Sequence, residues 1–134
     1  MLKLEIVTPE KRVLDAEVES VTVPTASGEA GIFPNHAPLV SALKPGILSY
    51  SQKGGAEKLA VSGGFVEVSG NKVSVLADTA ETSDEVDVEL ARTEREAAEK
   101  ALAAAATSPV EENAPLLQKL ESANARITLA GAGK

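Results

Sequence analysis

Gly64-Phe65-Val66-Glu67-Val68-Ser69-Gly70-Asn71-Lys72-Val73-Ser74-Val75-Leu76 decides how this chain is read. Two short alternating runs rich in β-branched residues flank Ser69-Gly70-Asn71-Lys72. Gly and Asn tolerate positive φ, so the turn predicts a β-hairpin. Working outward, Leu2, Leu4 and Ile6 alternate with Lys3, Glu5 and Val7 up to Thr8-Pro9. Val13 to Val23, Ile47 to Ser51 and Lys58 to Ser62 supply further strand-like runs. Lys44-Pro45-Gly46, Lys53-Gly54-Gly55 and Ser62-Gly63-Gly64 separate them. Short alternating segments with regularly spaced turn signals predict an antiparallel β-sandwich or barrel.

The period changes after Glu81. Val88 to Ala106 is alanine-rich, carries Glu, Arg and Lys, and lacks Gly and Pro, so it predicts a helix. Thr82-Ser83-Asp84-Glu85 has capping-box spacing ahead of it. The apolar stripe is thin (Ala91, Ala98, Leu102, Ala105), so the helix needs a partner with small residues at the crossing. Thr107-Ser108-Pro109 breaks the pattern, and Ser108 with Glu111 forms a second capping box. Pro115, capped by Asn113, is an equal candidate for the start of the second helix. Leu116, Leu120, Ala123, Ile127 and Ala130 recur at helical spacing, and Gly131 is the expected end. The expected fold is therefore α+β: a β-sandwich over residues 1–84 and an antiparallel two-helix hairpin over 85–134. About fifty residues with an alanine seam bury too little to fold firmly alone. The hairpin must dock on the sandwich or on another protein.

Composition narrows function. The formal charge of −7 argues against nucleic-acid binding, which needs clustered Lys and Arg. Aromatic residues are 2 % of the chain (Phe33, Phe65 and Tyr50), so base stacking is disfavoured and the core must be aliphatic. Without cysteine there is neither a disulfide framework nor a thiolate metal site, and one histidine is too few for a zinc centre. No apolar run reaches the ~20 residues that span a bilayer. The first residues lack the apolar region of a signal peptide, so a soluble protein of a reducing cytoplasm is expected.

Gly28-Glu29-Ala30-Gly31-Ile32-Phe33-Pro34-Asn35-His36-Ala37-Pro38-Leu39 holds two glycines, two prolines and the one histidine. That composition reads as a rigid, shaped loop suited to presenting a surface. A catalytic role for His36 would need a coupled nucleophile or acid, and no pattern supplies one. Gly28-Glu29-Ala30-Gly31 lacks the lysine of a P-loop.

With these segments together, the chain resembles the epsilon subunit of F-type ATP synthases. Gly28, Gly31, Pro34, His36, Ala37, Pro38 and Leu39 match the family's loop. Leu43-Lys44-Pro45-Gly46-Ile47-Leu48 looks like its next strand entry. Val61 to Val68 and Val73 to Glu81 match its final hairpin, in the same order. The resemblance implies a non-catalytic rotor subunit of a proton-driven motor, peripheral on the cytoplasmic face of a bacterial membrane. It would bind the central-stalk gamma subunit and the c-ring, without inserting into the membrane. Its hairpin would touch the alpha and beta subunits of the catalytic head transiently and inhibit ATP hydrolysis.

By the same resemblance, Glu29 and Gly31 would contact the c-ring, and His36, Ala37, Pro38 and Leu39 the gamma subunit. His36 could equally hydrogen-bond its own loop and fix its shape. Arg92, Arg95 and Arg126 would face the catalytic head, or equally form a solvated face. Some members bind ATP through an Ile/Leu-Asp-x-x-Arg-Ala motif. Here the stretch is Val86-Asp87-Val88-Glu89-Leu90-Ala91, so Asp87 and Ala91 are kept but Leu90 replaces the phosphate-binding arginine. No cofactor is expected, and Asp87 reads as a helix-start residue. The competing reading is a free-standing β-sandwich adaptor with a helical interaction tail.

Overall fold

The computed structural model describes residues 1–104 and 110–132. Among these residues, ten strands form two five-stranded sheets. The first has the spatial order β2 (Arg12–Val18), β1 (Leu2–Val7), β9 (Lys72–Leu76), β8 (Phe65–Ser69), β5 (Leu39–Ala42). The second runs β10 (Thr79–Glu81), β7 (Gly55–Ser62), β6 (Gly46–Gln52), β3 (Ser20–Thr25), β4 (Gly28–Ile32). Every pairing is antiparallel except β1 with β9, which run parallel with Leu4 opposite Val73. Parallel neighbours need a long connection, and nearly the whole sandwich lies between these two in the chain.

The run Val13 to Val23 divides at Glu19, whose N–H donates to the Ser51 carbonyl at 2.7 Å. Val18 is buried in one sheet, Val21 and Val23 in the other. A strict period of two from Val18 would bury residue 20, so the slip to 21 marks where the chain changes sheets. The expected hairpin forms with Ser69 opposite Lys72, and Gly70 supplies the positive φ of 62°. Gly64 has φ +90°, and a Cβ there would overlap the Leu76 carbonyl oxygen. That close approach sets the entry to β8 against the end of β9.

The core is aliphatic, as the composition requires. Leu2, Leu4, Ile6, Val21, Ile32, Leu48, Val66 and Val73 are fully buried between the sheets. Each such side chain contributes about 1.5–3 kcal/mol relative to exposure. The cluster contains no hairpin residue, so the sandwich closes its own core.

Helix α1 spans Val88–Ala104 and α2 Val110–Ala132. Only half of the Thr82–Glu85 box forms, and it closes a turn ahead of the helix, with the Glu85 N–H donating to the Thr82 carbonyl at 3.0 Å rather than to its hydroxyl. Glu85 Oε1 accepts the Thr82 backbone N–H at 3.0 Å and its hydroxyl at 3.1 Å. The N-cap is instead Asp87, whose Oδ1 accepts the Leu90 N–H at 3.1 Å. Pro115 lies inside α2 rather than at its start, and Gly131 is within the helix rather than its end. The Ser108 capping box falls outside the described residues. Helix α2 carries two apolar faces. Ala123 and Ala130 are buried on its helical stripe, matching Ala91 and Ala98 on the facing helix. Ala125 and Leu129, about 200° around from the stripe, pack on Ala60, Ile47 and Val86. Thus α2 lies on β6 and β7, and α1 lies outside it.

Candidate functional site

The glycine- and proline-rich stretch is part strand, part loop. Gly28–Ile32 forms edge strand β4, with Ala30 opposite Val23, so the expected loop is confined to residues 33–38. Alternation sends Ala30 and Ile32 towards the core and leaves Glu29 and Gly31 exposed on the outer face. The Phe33 ring, 62 % exposed, lies near Gly31, where a Cβ would sit 3.5 Å from it. The two residues expected at the c-ring are therefore together on a free sheet edge.

The loop is internally braced. The His36 backbone N–H donates to the Phe33 carbonyl at 3.1 Å, and Nδ1 lies 2.6 Å from the Ala37 carbonyl. A carbonyl only accepts, so that contact puts the proton on Nδ1 and leaves Nε2 as an acceptor when the ring is neutral. The self-bonded reading of His36 is the observed one, and the residue is partly buried. Asn35 holds φ 68°, and its N–H donates to Asn71 Oδ1 at 2.9 Å. Ala37 and Pro38 are exposed, while Leu39 begins β5 opposite Val68 and packs on the core.

Beside this loop lies a surface that the sequence reading missed. On the outer face of the first sheet, Phe65 is 57 % exposed and pairs across the strands with Leu76 and Ala42. Val40 and Leu76 are also largely exposed. The other half of the face is polar: Arg12 lies 3.5 Å from Glu5 and 3.6 Å from Asp15, and Lys3 lies 3.9 Å from Asp15. Glu67, opposite Val40, is also exposed on this face, so the apolar side chains are bordered by charge on both sides, the composition an interaction surface would have. The signal was present, since buried Val66 and Val68 alternate with Phe65.

The hairpin cations separate. Arg92 pairs with Glu89 at 3.3 Å and Arg95 with Glu99 at 3.7 Å, both along the outer helix. Arg126 points inward, with its side chain 18 % exposed. It donates from Nη2 to Glu94 Oε2 at 2.8 Å, and its Nε lies 3.6 Å from Glu81 Oε1. Burial pushes the Glu81 carboxyl above the ordinary carboxylate value, against the pull of Arg126. The Thr82 amide and hydroxyl, aided by Lys11 at 3.4 Å, hold Glu85 below it. Lys44 reaches Glu121 of α2 at 3.2 Å. Asp87 is engaged in its cap and Leu90 is half-exposed beside it. Among the described residues, no cluster of His, Asp and Glu is disposed to hold a metal, and no helix is long and apolar enough to cross a membrane.

Residues 1–83 match the family model described as the ATP synthase delta/epsilon chain β-sandwich domain. The sequence is 52 % identical over 99 residues to an ATP synthase epsilon chain of Desulfitobacterium hafniense strain Y51, covering 74 % of this chain and 75 % of that one. It is 44 % identical over 130 residues to the epsilon chain of Anaeromyxobacter dehalogenans, covering 97 % and 98 %. Among solved structures, a chain of the Euglena gracilis mitochondrial ATP synthase (OSCP/F1/c-ring, rotational state 1) superposes with a TM-score of 0.76 at 27 % identity. That match covers 98 % of this chain and 81 % of the other.

Proposed function

We propose a division of labour for this chain, which belongs to the epsilon family of ATP synthase subunits: the sandwich couples the rotor and the hairpin restrains ATP hydrolysis. The protein itself catalyses nothing. Its apolar half-face (Val40, Phe65, Leu76) and the braced loop at His36–Leu39 bind the gamma subunit, and the β4 edge at Glu29 and Gly31 meets the c-ring. The observation that carries this reading is the exposed Phe65–Leu76 pair, continuous through β5 with the loop. Large exposed aromatics in an apolar patch are the usual energetic centres of protein interfaces. Membership of the family displaces the free-standing adaptor reading.

The hairpin is the regulatory part, reaching the alpha and beta subunits of the catalytic head through Arg92, Arg95 and Arg126 when it leaves the sandwich. Leu90 in place of a phosphate-binding arginine supports a hairpin that works without bound ATP. The bacterial relatives support a peripheral place on the cytoplasmic face of the cell membrane.

The test is ATP hydrolysis by a catalytic head carrying gamma, with the full chain and with a truncation after Asp84, which leaves the sandwich core intact. Inhibition by the full chain that disappears on truncation supports the whole proposal. Binding of both forms without inhibition removes the regulatory half, and failure of both to bind removes the gamma contact.

A further inference from the structure

We propose that Glu81 and Glu94 hold Arg126 in reserve, so that the arginine meant for the catalytic head is also the bolt that keeps the hairpin docked. The inference rests on the head-contact reading above and names its regulation. The guanidinium of Arg126 joins three elements at one point. It sits on α2, bonds Glu94 of α1 at 2.8 Å, and lies 3.6 Å from Glu81 on β10. Its planar fork of donors suits two carboxylates at once, which an ammonium would not.

The rest of the docking interface is slight. Its apolar part is Ala125, Leu129 and Ala60, flanked by Ile47 and Val86, and alanines bury little area. The Lys44–Glu121 contact is largely exposed and adds little. Helix α1 reaches the sandwich chiefly through α2 and Arg126. A small apolar contact leaves the docking equilibrium sensitive to one ionic cluster.

Arg126 cannot shed its charge. Deprived of both carboxylates, it is left 18 % exposed with no anion beside it, and lifting α2 brings it fully into water or to another anion. An acidic partner surface and the Glu81–Glu94 pair therefore compete for one cation. By linkage, an acidic surface that favours the lifted hairpin binds it more tightly by the same factor.

The full chain carrying Glu81→Gln and Glu94→Gln tests this. Labels at Lys53→Cys on the β6–β7 turn and Ala103→Cys on α1 report docking, since the chain has no native cysteine. The double variant should lower the docked-to-lifted ratio by about tenfold or more, because an uncompensated and largely buried charge remains. Glu81→Gln alone should change it little, since Glu94 holds the closer contact. Adding Arg126→Gln to the double variant should restore docking, as a neutral cluster no longer needs water. An unchanged label distance in the double variant overturns the proposal. So does a triple variant as lifted as the double, which would make the carboxylates mere packing. Inhibition of ATP hydrolysis by the catalytic head–gamma complex is the separate readout. Lifting with stronger inhibition supports both readings, whereas lifting without inhibition keeps the bolt and removes the head contact.

Discussion

The backbone N–H of Asn35 donates to Asn71 Oδ1 at 2.9 Å, tying the loop between β4 and β5 to the turn between β8 and β9. Asn71 is itself fixed, since its carbonyl accepts the Lys3 N–H at 2.8 Å. The pin works by acceptance alone, so the side-chain amide is not required. Asn71→Ala should cost about 1 kcal/mol, the usual net contribution of one hydrogen bond. It should also speed hydrogen exchange at the Asn35 amide. Asn71→Asp keeps the acceptor and should leave that exchange slow. Equal exchange in the Ala and wild-type chains would show that the prolines alone hold the loop.

Two glycines should answer differently to alanine. At Gly64 the backbone is left-handed and a Cβ would meet the Leu76 carbonyl, which cannot swing aside. Gly64→Ala should destabilise by about 3 kcal/mol or more in denaturant unfolding, among the larger single-residue effects. At Gly31 the nearest atom is the exposed Phe33 ring at 3.5 Å, an ordinary contact. Gly31→Ala should stay within about 0.5 kcal/mol. A midpoint shift at Gly31 as large as that at Gly64 would contradict the geometry.

Phe65 separates binding from folding. Its exposed ring contributes little to the core. Phe65→Ser should leave the melting temperature nearly unchanged while weakening association with a gamma-containing complex by roughly thirtyfold, equivalent to about 2 kcal/mol at an interface centre. Calorimetric titration measures it. Unchanged affinity would move the gamma contact off this face.

Alternation made β1, β8 and β9 legible because each is half-buried with inward aliphatic residues. Strand β4 was hidden: two of its five residues are glycine, and only Ala30 and Ile32 carry the inward pattern. The sheet change at Glu19 was legible in principle, from the three-residue step between Val18 and Val21. Asp87 could be read as a helix-start residue because caps are local. The inward aim of Arg126 could not be read, since it depends on where α2 lies against β10, a relation between residues far apart in sequence. Pro115 misled for the opposite reason. Its local preference for a helix start was overridden by a helix begun by Val110.

Two nearby carboxylates should titrate on opposite sides of the ordinary value of 4.5. Glu85, bonded by the Thr82 amide and hydroxyl and near Lys11, is depressed. Its stabilising effect is present above the unfolded value and is lost as pH falls through the lower folded value. Glu81, facing Arg126, Glu85 and Glu94, is raised by burial. Its effect has the other sign: it is full below the unfolded value and lost as pH rises through the higher folded value. Acidification from neutrality should therefore protonate Glu81 first, favouring the fold, and Glu85 second, opposing it. Carboxyl resonances followed by NMR should show midpoints in that order. Thr82→Ala should raise the Glu85 midpoint only part of the way, because the amide at residue 82 still donates. A reversed order of midpoints, or a full return of Glu85 to 4.5 in Thr82→Ala, would mean that the backbone bond is not its principal support.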